Sequence, residues 1–365
     1  MAIDTHGPAL PAARGELSAA VIGFLRDGGG LPPRGAARAA DPYGDDLQLA
    51  LYVCYELHYR GFAGVDASLE WDPALLAARA GLEERFLEAL RRDAPRHDDP
   101  AEAMAELLVE PVRDGGTGVS LFLQDEGELW QVREYTAHRS LYHLKEADPH
   151  AWVLPRLWGR AKAGMAAVEF DEFGGGRAER VHARLFAELM TDLDLDPAYG
   201  RYLDAACAEM LAVVNLMSLL GLHRESRGAL VGHYACVEIT SSPGSRRLAL
   251  AMRRTGAGPA AEFFHTEHVE ADAVHEQVMR HEVVGGLLEE EPHLAPDVAF
   301  GIDATNHLEN RLGERLLGCW RVGGTSLRTG PEESRTGPET SRGGLGESQA
   351  GPAEGTVAAR GARSR

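Results

Sequence analysis

The sequence predicts an all-α protein, a multi-helix bundle with a helical extension before it and a disordered tail after it. Two observations carry this prediction. Apolar residues recur at intervals of three to four along most of the chain, as a helix buried on one side requires; the clearest run is Val298, Ile302, Leu308, Leu312 and Leu316. The alternation typical of strands is confined to the short stretch at residues 119–122.

Composition narrows the class of protein. The chain has 365 residues, 44% of them hydrophobic, which is enough to bury a sizeable core. Its net charge of −19 disfavours nucleic-acid binding, which needs clustered Lys and Arg. No apolar run is long enough to span a membrane, and the N-terminus lacks the pattern of a secretory signal. The four cysteines lie far apart in apolar surroundings, so we expect reduced thiols and a cytoplasmic location.

The chain divides into four segments by composition. Residues 1–42 are rich in Ala, Gly, Pro and Arg and read as a loose extension with a short helix near residues 17–26. Residues 43–125 are expected to form an N-terminal helical region, and residues 126–322 are expected to form the main helical domain. Residues 323–365 contain a near-repeat of Arg-Thr-Gly-Pro-Glu with few large apolar side chains, which predicts disorder because little surface can be buried.

Periodicity and helix-breaking residues set the expected helices. They are expected at about 45–60, 72–92, 100–109, 128–146, 155–190, 199–220, 230–240, 268–288 and 296–320, with residues 246–255 as a helix or connector. The helix over 155–190 crosses Gly174, Gly175 and Gly176, which should break or distort it. In the first helix, Glu56 and His58 are two apart and face different directions, so they are expected to be ordinary surface or hydrogen-bonded groups.

A metal-ligand pattern appears near the end of the main domain. Residues 265–276 contain no Gly or Pro and predict a helix. On it His268, Asp272 and His275 are spaced by four and then three residues, so two imidazoles and a carboxylate share one face. This set suits Fe(II), Mn(II) or Zn(II), and it is costly to bury without a metal or many hydrogen bonds. The same spacing also fits a solvated acidic face.

A second pattern complements the first. Glu179 and His182 are three apart, and a Glu-x-x-His pair on one helix of a bundle is a common element of dinuclear carboxylate sites. Glu172 lies two helical turns before Glu179, and Glu146 ends the helix before a chain reversal. The combined set suits two iron or manganese ions bridged by carboxylates, with positions left for O₂ or substrate; it comprises Glu146, Glu172, Glu179, His182, His268, Asp272 and His275.

Four stretches carry a resemblance to a known family. They are Leu-Lys-Glu-Ala-Asp-Pro-His at 144–150, Asp-Glu-Phe-Gly-Gly-Gly at 171–176, His-Ala-Arg-Leu-Phe at 182–186 and His-Val-Glu-Ala-Asp-Ala-Val-His at 268–275. Over about residues 130–320 the chain resembles the haem-oxygenase-like iron-containing redox enzymes, also called haem-oxygenase-like diiron oxidases. The last stretch is the most specific. The region before residue 125 has no evident counterpart in this family.

The resemblance implies a helical bundle that uses two non-haem iron ions and O₂ to oxidise a small organic substrate, often in natural-product biosynthesis. It implies that the residues of the combined set are the iron ligands, with Glu172 matching a carboxylate found in some members only. Two other interpretations remain open: a haem-binding protein of the same fold, and a helical scaffold whose metal site is structural or degenerate. A small-molecule substrate is the expected partner, nucleic acid and membrane are not, and a homodimer is compatible with the sequence.

Overall fold

The computed structural model describes residues 7–109 and 118–328. Every regular element in these ranges is helical, which confirms the all-α prediction. The helices are α1 (Glu16–Asp27), α2 (Asp45–Glu56), α3 (Pro73–Asp93), α4 (Pro100–Leu107), α5 (Val119–Asp125), α6 (Leu129–His143), α7 (Asp148–Ala151), α8 (Gly159–Glu172), α9 (His182–Asp192), α10 (Ala208–Leu222), α11 (Arg227–Thr255), α12 (Pro259–Gln277), α13 (Gly285–Glu290) and α14 (Ala295–Trp320).

The centre of the bundle is the long helix α11. It packs along α12 and α14, while α10 contacts α11, α14 and α2. The backbones of α11 and α14 approach closely where Gly232 faces Val298 and Gly301 faces Ala229, since a Cβ on either glycine would overlap the opposing carbonyl oxygen. Helix α10 is apolar around its whole circumference, as a helix enclosed on all sides requires. This packing fixes α11 and α12 side by side.

The N-terminal helices share the core of the main bundle. Helix α2 is buried between α1, α3 and α10, and residues up to Arg328 belong to one compact unit. The expected boundary at residue 125 therefore does not coincide with a break in packing. The extension expected to be loose over residues 7–42 contains α1, whose apolar face is buried, and a 3-10 turn at Arg34–Ala39 that packs on α3.

Three helix boundaries differ from expectation. Residues 119–122 lie in helix α5 rather than in a strand. Residues 227–255 form one continuous helix through Pro243, because apolar residues on both sides of the proline are buried and offset the lost hydrogen bond. The expected helix over 155–190 is two helices, since Gly174, Gly175 and Gly176 all adopt positive φ and end α8.

A π-helical segment continues α12, the helix that carries His268. It spans Val278–Val284, leads directly into α13, and buries Met279, Val283 and Val284. The π-helical segment packs against α8, where Gly164 leaves room for the Val283 side chain. Among the described helices, none is both long and apolar enough to cross a bilayer.

The first residues of the segment expected to be disordered are packed on the body. Ser326 is fully buried, and its backbone N–H and hydroxyl both donate to Glu134 Oε2, at 2.8 and 2.6 Å. Thr325 and Trp320 also donate to Glu134. Burial alone would raise the pKa of Glu134, but these hydrogen bonds outweigh it and lower the pKa. Residues 323–328 thus belong to the structured body, and the rest of the expected tail lies outside the described residues.

A pair of truncations tests this boundary. A chain ending at Val322 should unfold at a temperature lower by about 2 °C or more than one ending at Arg328, because Glu134 loses charge-assisted hydrogen bonds of roughly 1.5–3 kcal/mol each. A carboxyl whose folded pKa is lowered stabilises above its unfolded pKa of about 4.3, and this contribution is lost as the pH falls below it. The difference between the two melting temperatures should therefore narrow below about pH 4. Equal melting temperatures at pH 7 would contradict the packing role of residues 323–328.

Candidate metal centre

The chain brings histidine and carboxylate side chains together from four separate elements. Helix α12 supplies His268, Asp272 and His275 from one face, as their spacing predicted. The last residue of α8 is Glu172, and the first residue of α9 is His182. The final contributor lies in the turn after α6; it is Glu146. All six side chains are buried.

Four of them form a first group. The ligand atoms of Glu146, Glu172, His182 and His268 lie within 4.8 Å of one another. Glu172 Oε2 is 2.8 Å from His182 Nδ1 without the geometry of a hydrogen bond, and Glu146 Oε2 is 3.8 Å from His268 Nε2. Atoms this close that do not bond to one another are arranged around a common point, as metal ligands are.

A second group shares Glu172 with the first. Ligand atoms of Glu172, Asp272 and His275 also lie within 4.8 Å of one another. His275 Nδ1 is 3.6 Å from Glu172 Oε1, 3.7 Å from Asp272 Oδ1 and 3.4 Å from Glu238 Oε2. Glu238, from α11, therefore completes the second group. Two groups that share one carboxylate match a dinuclear centre with a bridging ligand.

The buried polar atoms of both groups lack partners. Among the described residues, one atom of each of six side chains has no hydrogen-bond partner and almost no contact with solvent; these atoms are Glu146 Oε2, His182 Nδ1, His268 Nε2, Asp272 Oδ2, His275 Nδ1 and Glu238 Oε2. Buried polar atoms without partners are rare and costly in folded proteins. Six of them around two points fit a pair of cations, which would satisfy all of them at once.

Neighbouring groups hold the ligands in orientation. His268 Nδ1 donates to the Phe264 carbonyl oxygen at 2.7 Å, which leaves Nε2 with its lone pair toward the first group. His143 Nδ1 lies 2.6 Å from Glu146 Oε1, and His275 Nε2 lies 3.3 Å from Asp171 Oδ2. Such second contacts fix the ring and carboxylate positions before a metal binds.

The electrostatics of the centre show an excess of negative charge. Burial raises the pKa of Asp272 to about 7, with Glu238 adding to the effect, and burial also raises the pKa of Glu238. Burial disfavours protonation of His275, yet the nearby Glu238 carboxylate raises its pKa to about 9. Burial likewise opposes protonation of His268, but Glu146 and Asp272 raise its pKa well above the usual range. Bound protons thus balance part of the negative charge that metal cations would otherwise balance.

The charge of the site matches two divalent ions. Glu146, Glu172, Asp272 and Glu238 together carry four negative charges when ionised, and two Fe(II) ions would carry four positive ones. Glu169, one helical turn before Glu172, is buried with both oxygens unpaired among the described residues. Burial, with the charges of Glu172 and Glu238, raises its pKa to about 9, so it holds a proton at neutral pH.

One predicted ligand lies outside the centre. Glu179 is exposed on a 3-10 turn at Ala178–Arg180 and belongs to neither group. Its predicted pairing with His182 assumed a continuous helix, but α8 ends at Glu172 and α9 begins only at His182. Without helical spacing the two side chains no longer share a face. The other six predicted ligands come together.

Sequence reasoning gave Glu238 too little weight. An acidic residue within an apolar helix was the available signal, but such a residue is more often a hydrogen-bonded core carboxylate than a metal ligand. Glu169 and Asp171 were not selected because several carboxylates precede the glycines and nothing in the sequence ranks them. Tyr142 and Tyr234 are also buried beside the centre, and burial together with the carboxylates raises the pKa of both hydroxyls.

A cavity of about 980 Å³ adjoins the first group. His143, Phe264 and His268 are among its lining residues, together with Arg139 and Glu309. The last two form a two-point ion pair, with Nη1 to Oε1 at 2.8 Å and Nη2 to Oε2 at 2.6 Å. The cavity is large enough for a small organic molecule and brings it next to a metal-facing histidine.

Comparison with known proteins agrees with this geometry. Residues 133–310 match the model of a family described as iron-containing redox enzymes. Over these residues the protein is similar to this family. The match contains both groups of the metal centre and confirms the resemblance found in the sequence.

The chain is also similar to the nitrosourea synthase of Streptomyces achromogenes subsp. streptozoticus. It is 24% identical over 161 residues, which cover 44% of the present chain and 34% of the relative. The chain thus spans about a third of the relative's length. The similarity is to one part of the larger protein.

Because Glu172 lies in both groups and Glu179 in neither, we expect their variants to differ in iron binding. Glu172→Ala should reduce bound Fe(II) from about two ions per chain to one or fewer, because it removes the carboxylate that both groups share. The Glu179→Ala variant, changed on the exposed turn between Glu172 and His182, should bind as much Fe(II) as the wild type does. Iron analysis after anaerobic loading and desalting measures both. Equal losses in the two variants would show that Glu179 is a ligand and that the turn refolds when metal binds.

Proposed function

We propose that this protein is a non-haem diiron oxidase or oxygenase that uses O₂ to oxidise a small organic substrate. The observation that carries the proposal is the set of partnerless buried atoms in two groups that share Glu172. The match of residues 133–310 to the iron-containing redox enzyme family supports iron as the metal. A cytoplasmic setting and a role in natural-product biosynthesis belong to the same proposal; the similarity to a nitrosourea synthase supports the latter.

Each ligand has a defined place in this proposal. Glu146, His182 and His268 would hold one ion, and Asp272, His275 and Glu238 would hold the other. Glu172 belongs to both groups and would contribute to both sites. Bound Fe(II) would supply the electrons with which O₂ is activated.

The surrounding residues orient the ligands and control protons. His143 holds the Glu146 carboxylate, and the Phe264 carbonyl holds the His268 ring. Glu169 lies one turn from Glu172, and its raised pKa keeps its buried carboxyl group protonated. It is therefore the proposed proton donor to the centre. Burial of all ligands keeps bulk water from the centre, which protects reactive species from side reactions.

The cavity beside His268 is the proposed substrate site. Its volume of about 980 Å³ accommodates a small organic molecule, and its Arg139–Glu309 pair offers both a cation and an anion for polar groups of the substrate. A small molecule is therefore the proposed partner.

Haem binding fits the site less well than two iron ions do. A haem iron needs one axial histidine that faces a flat apolar space. Here the ligand nitrogens of His182 and His268 lie within 4.8 Å of the Glu146 and Glu172 carboxylates. The planar macrocycle would displace these carboxylates and leave their charges buried without partners.

Iron stoichiometry is the first test. Anaerobically loaded protein should bind about two Fe(II) per chain, and His268→Ala and His275→Ala should each lower this by about one, since each removes a neutral nitrogen from a different group. His293→Ala is the matched control, because the His293 side chain is 70% exposed and belongs to neither group. Wild-type iron content in both ligand variants would refute the assigned site.

Oxygen uptake is the second test. The Fe(II)-loaded protein should consume O₂ in an oxygen electrode at a rate well above that of free Fe(II) under the same conditions, because the two ions lie close enough to deliver electrons together. Glu172→Ala, without the bridge, should lose most of this rate. Uptake that is the same in the two proteins would show that oxidation occurs at adventitious iron rather than at the dinuclear centre.

A further inference from the structure

Glu146 differs from the other ligands in its local structure. It lies in the turn between α6 and α7 instead of on a helix. The following residue, Ala147, is fully buried with φ 73° and ψ −35°, a conformation that L-amino acids disfavour. Such a conformation persists only where surrounding contacts hold it. The position of the Glu146 carboxylate therefore depends on what fixes this turn.

One of those contacts is a buried ion pair on Lys145, the residue before Glu146. Lys145 Nζ donates to Glu56 Oε2 at 2.9 Å, with side-chain exposures of 1% and 0%. The ammonium also lies 4.2 Å from the ring centre of Tyr59 and 4.9 Å from that of Tyr52, distances typical of cation–π contacts. Lys145 is thus anchored to helix α2.

The partner carboxylate is itself held in place. Tyr199 donates its hydroxyl to Glu56 Oε1 at 2.7 Å. Arg60 lies over the Tyr199 ring at 4.1 Å and donates from Nη2 to the carbonyl oxygen of Leu144 at 3.3 Å. The turn is therefore held at Lys145 by Glu56, the last residue of α2, and at Leu144 by Arg60, just after α2. The neighbouring Glu146 lies 3.8 Å from His268.

General stability does not account for this ion pair. A buried pair loses so much hydration that well-packed apolar side chains of similar size often stabilise a protein as well or better. What such a pair provides is geometry, because the charges tolerate few alternative arrangements. Neither Glu56 nor Lys145 belongs to the groups of metal ligands.

We propose that Glu56 and Lys145 are positioning residues that set the place of the Glu146 carboxylate in the metal centre. The N-terminal helical region, through α2, is then part of the framework of the iron site. This inference rests on the proposed diiron function.

Anaerobic Fe(II) titration of Glu56→Gln and Lys145→Met tests the proposal, with Co(II) absorption as a spectroscopic readout. The affinity for the ion that Glu146 binds should fall at least tenfold, while the other ion keeps its affinity. The visible Co(II) bands of the weakened site should change in position or intensity. Glu291→Gln is the matched control, since it breaks the partly buried pair with Arg227 at the start of α11 and should alter only the melting temperature.

Two further variants keep the test decisive if a single substitution prevents folding. The double variant Glu56→Gln with Lys145→Met leaves no buried charge unpaired, so it should fold and still bind one ion weakly. Tyr199→Phe removes one hydrogen bond from Glu56 and should weaken the same ion by a few fold. Folded variants that bind both ions as the wild type does would overturn the proposal, as would equal weakening of both ions.

The wild-type titration separates this inference from the function beneath it. Wild-type protein that binds fewer than two ions contradicts the diiron function, and the positioning role fails with it. Wild-type protein that binds two ions, with variants that do the same, contradicts the positioning role alone.

Discussion

The cost of burying charge governs the structure of this protein. Carboxylates and imidazoles that water would solvate are enclosed in the middle of a helical bundle. Among the described residues, six of these side chains each have a buried polar atom without a hydrogen-bond partner. Isolated charges in such surroundings are strongly unfavourable. The raised pKa values of Asp272, Glu169 and Glu238 are one expression of this cost. Two bound divalent ions would remove this cost, so metal binding would stabilise the helices that carry these side chains.

The bundle meets this cost by holding the ligands on rigid elements. Helix α12 carries its ligands with exact helical spacing, and α11 brings Glu238 against them because the two helices run side by side. The close approach at Gly232 and Gly301 keeps α11 seated on α14. The remaining ligands, Glu146, Glu172 and His182, lie at helix ends, where packing alone is a weaker constraint. Contacts such as that between His143 and Glu146 compensate there.

The sequence analysis correctly predicted the features that depend on helical periodicity. Helical spacing is a local property, so the face of α12 and the all-α class followed directly from the residues. Glu179 lies outside the two groups because its predicted position depended on a helix continuing across three glycines, and φ values there are decided by tertiary packing. The sequence analysis did not select Glu238 as a ligand and did not place residues 323–328 in the structured body. Their partners, His275 and Glu134, are distant in sequence. Propensity and pattern carry no information about such long-range pairs.

The π-helical segment at Val278–Val284 separates two requirements that one helix must satisfy. A π turn accommodates one residue more than an α turn, so it shifts the register of everything that follows. Upstream of it, the register is dictated by ligand geometry at His275. Downstream, it is dictated by the close packing of Gly286 on Arg160 and Ala161 in α8. Removing one residue here would rotate the two halves by about 100° relative to each other. The extra residue thus allows the ligand-bearing part of the helix and the part packed on α8 each to keep the register that its own contacts require.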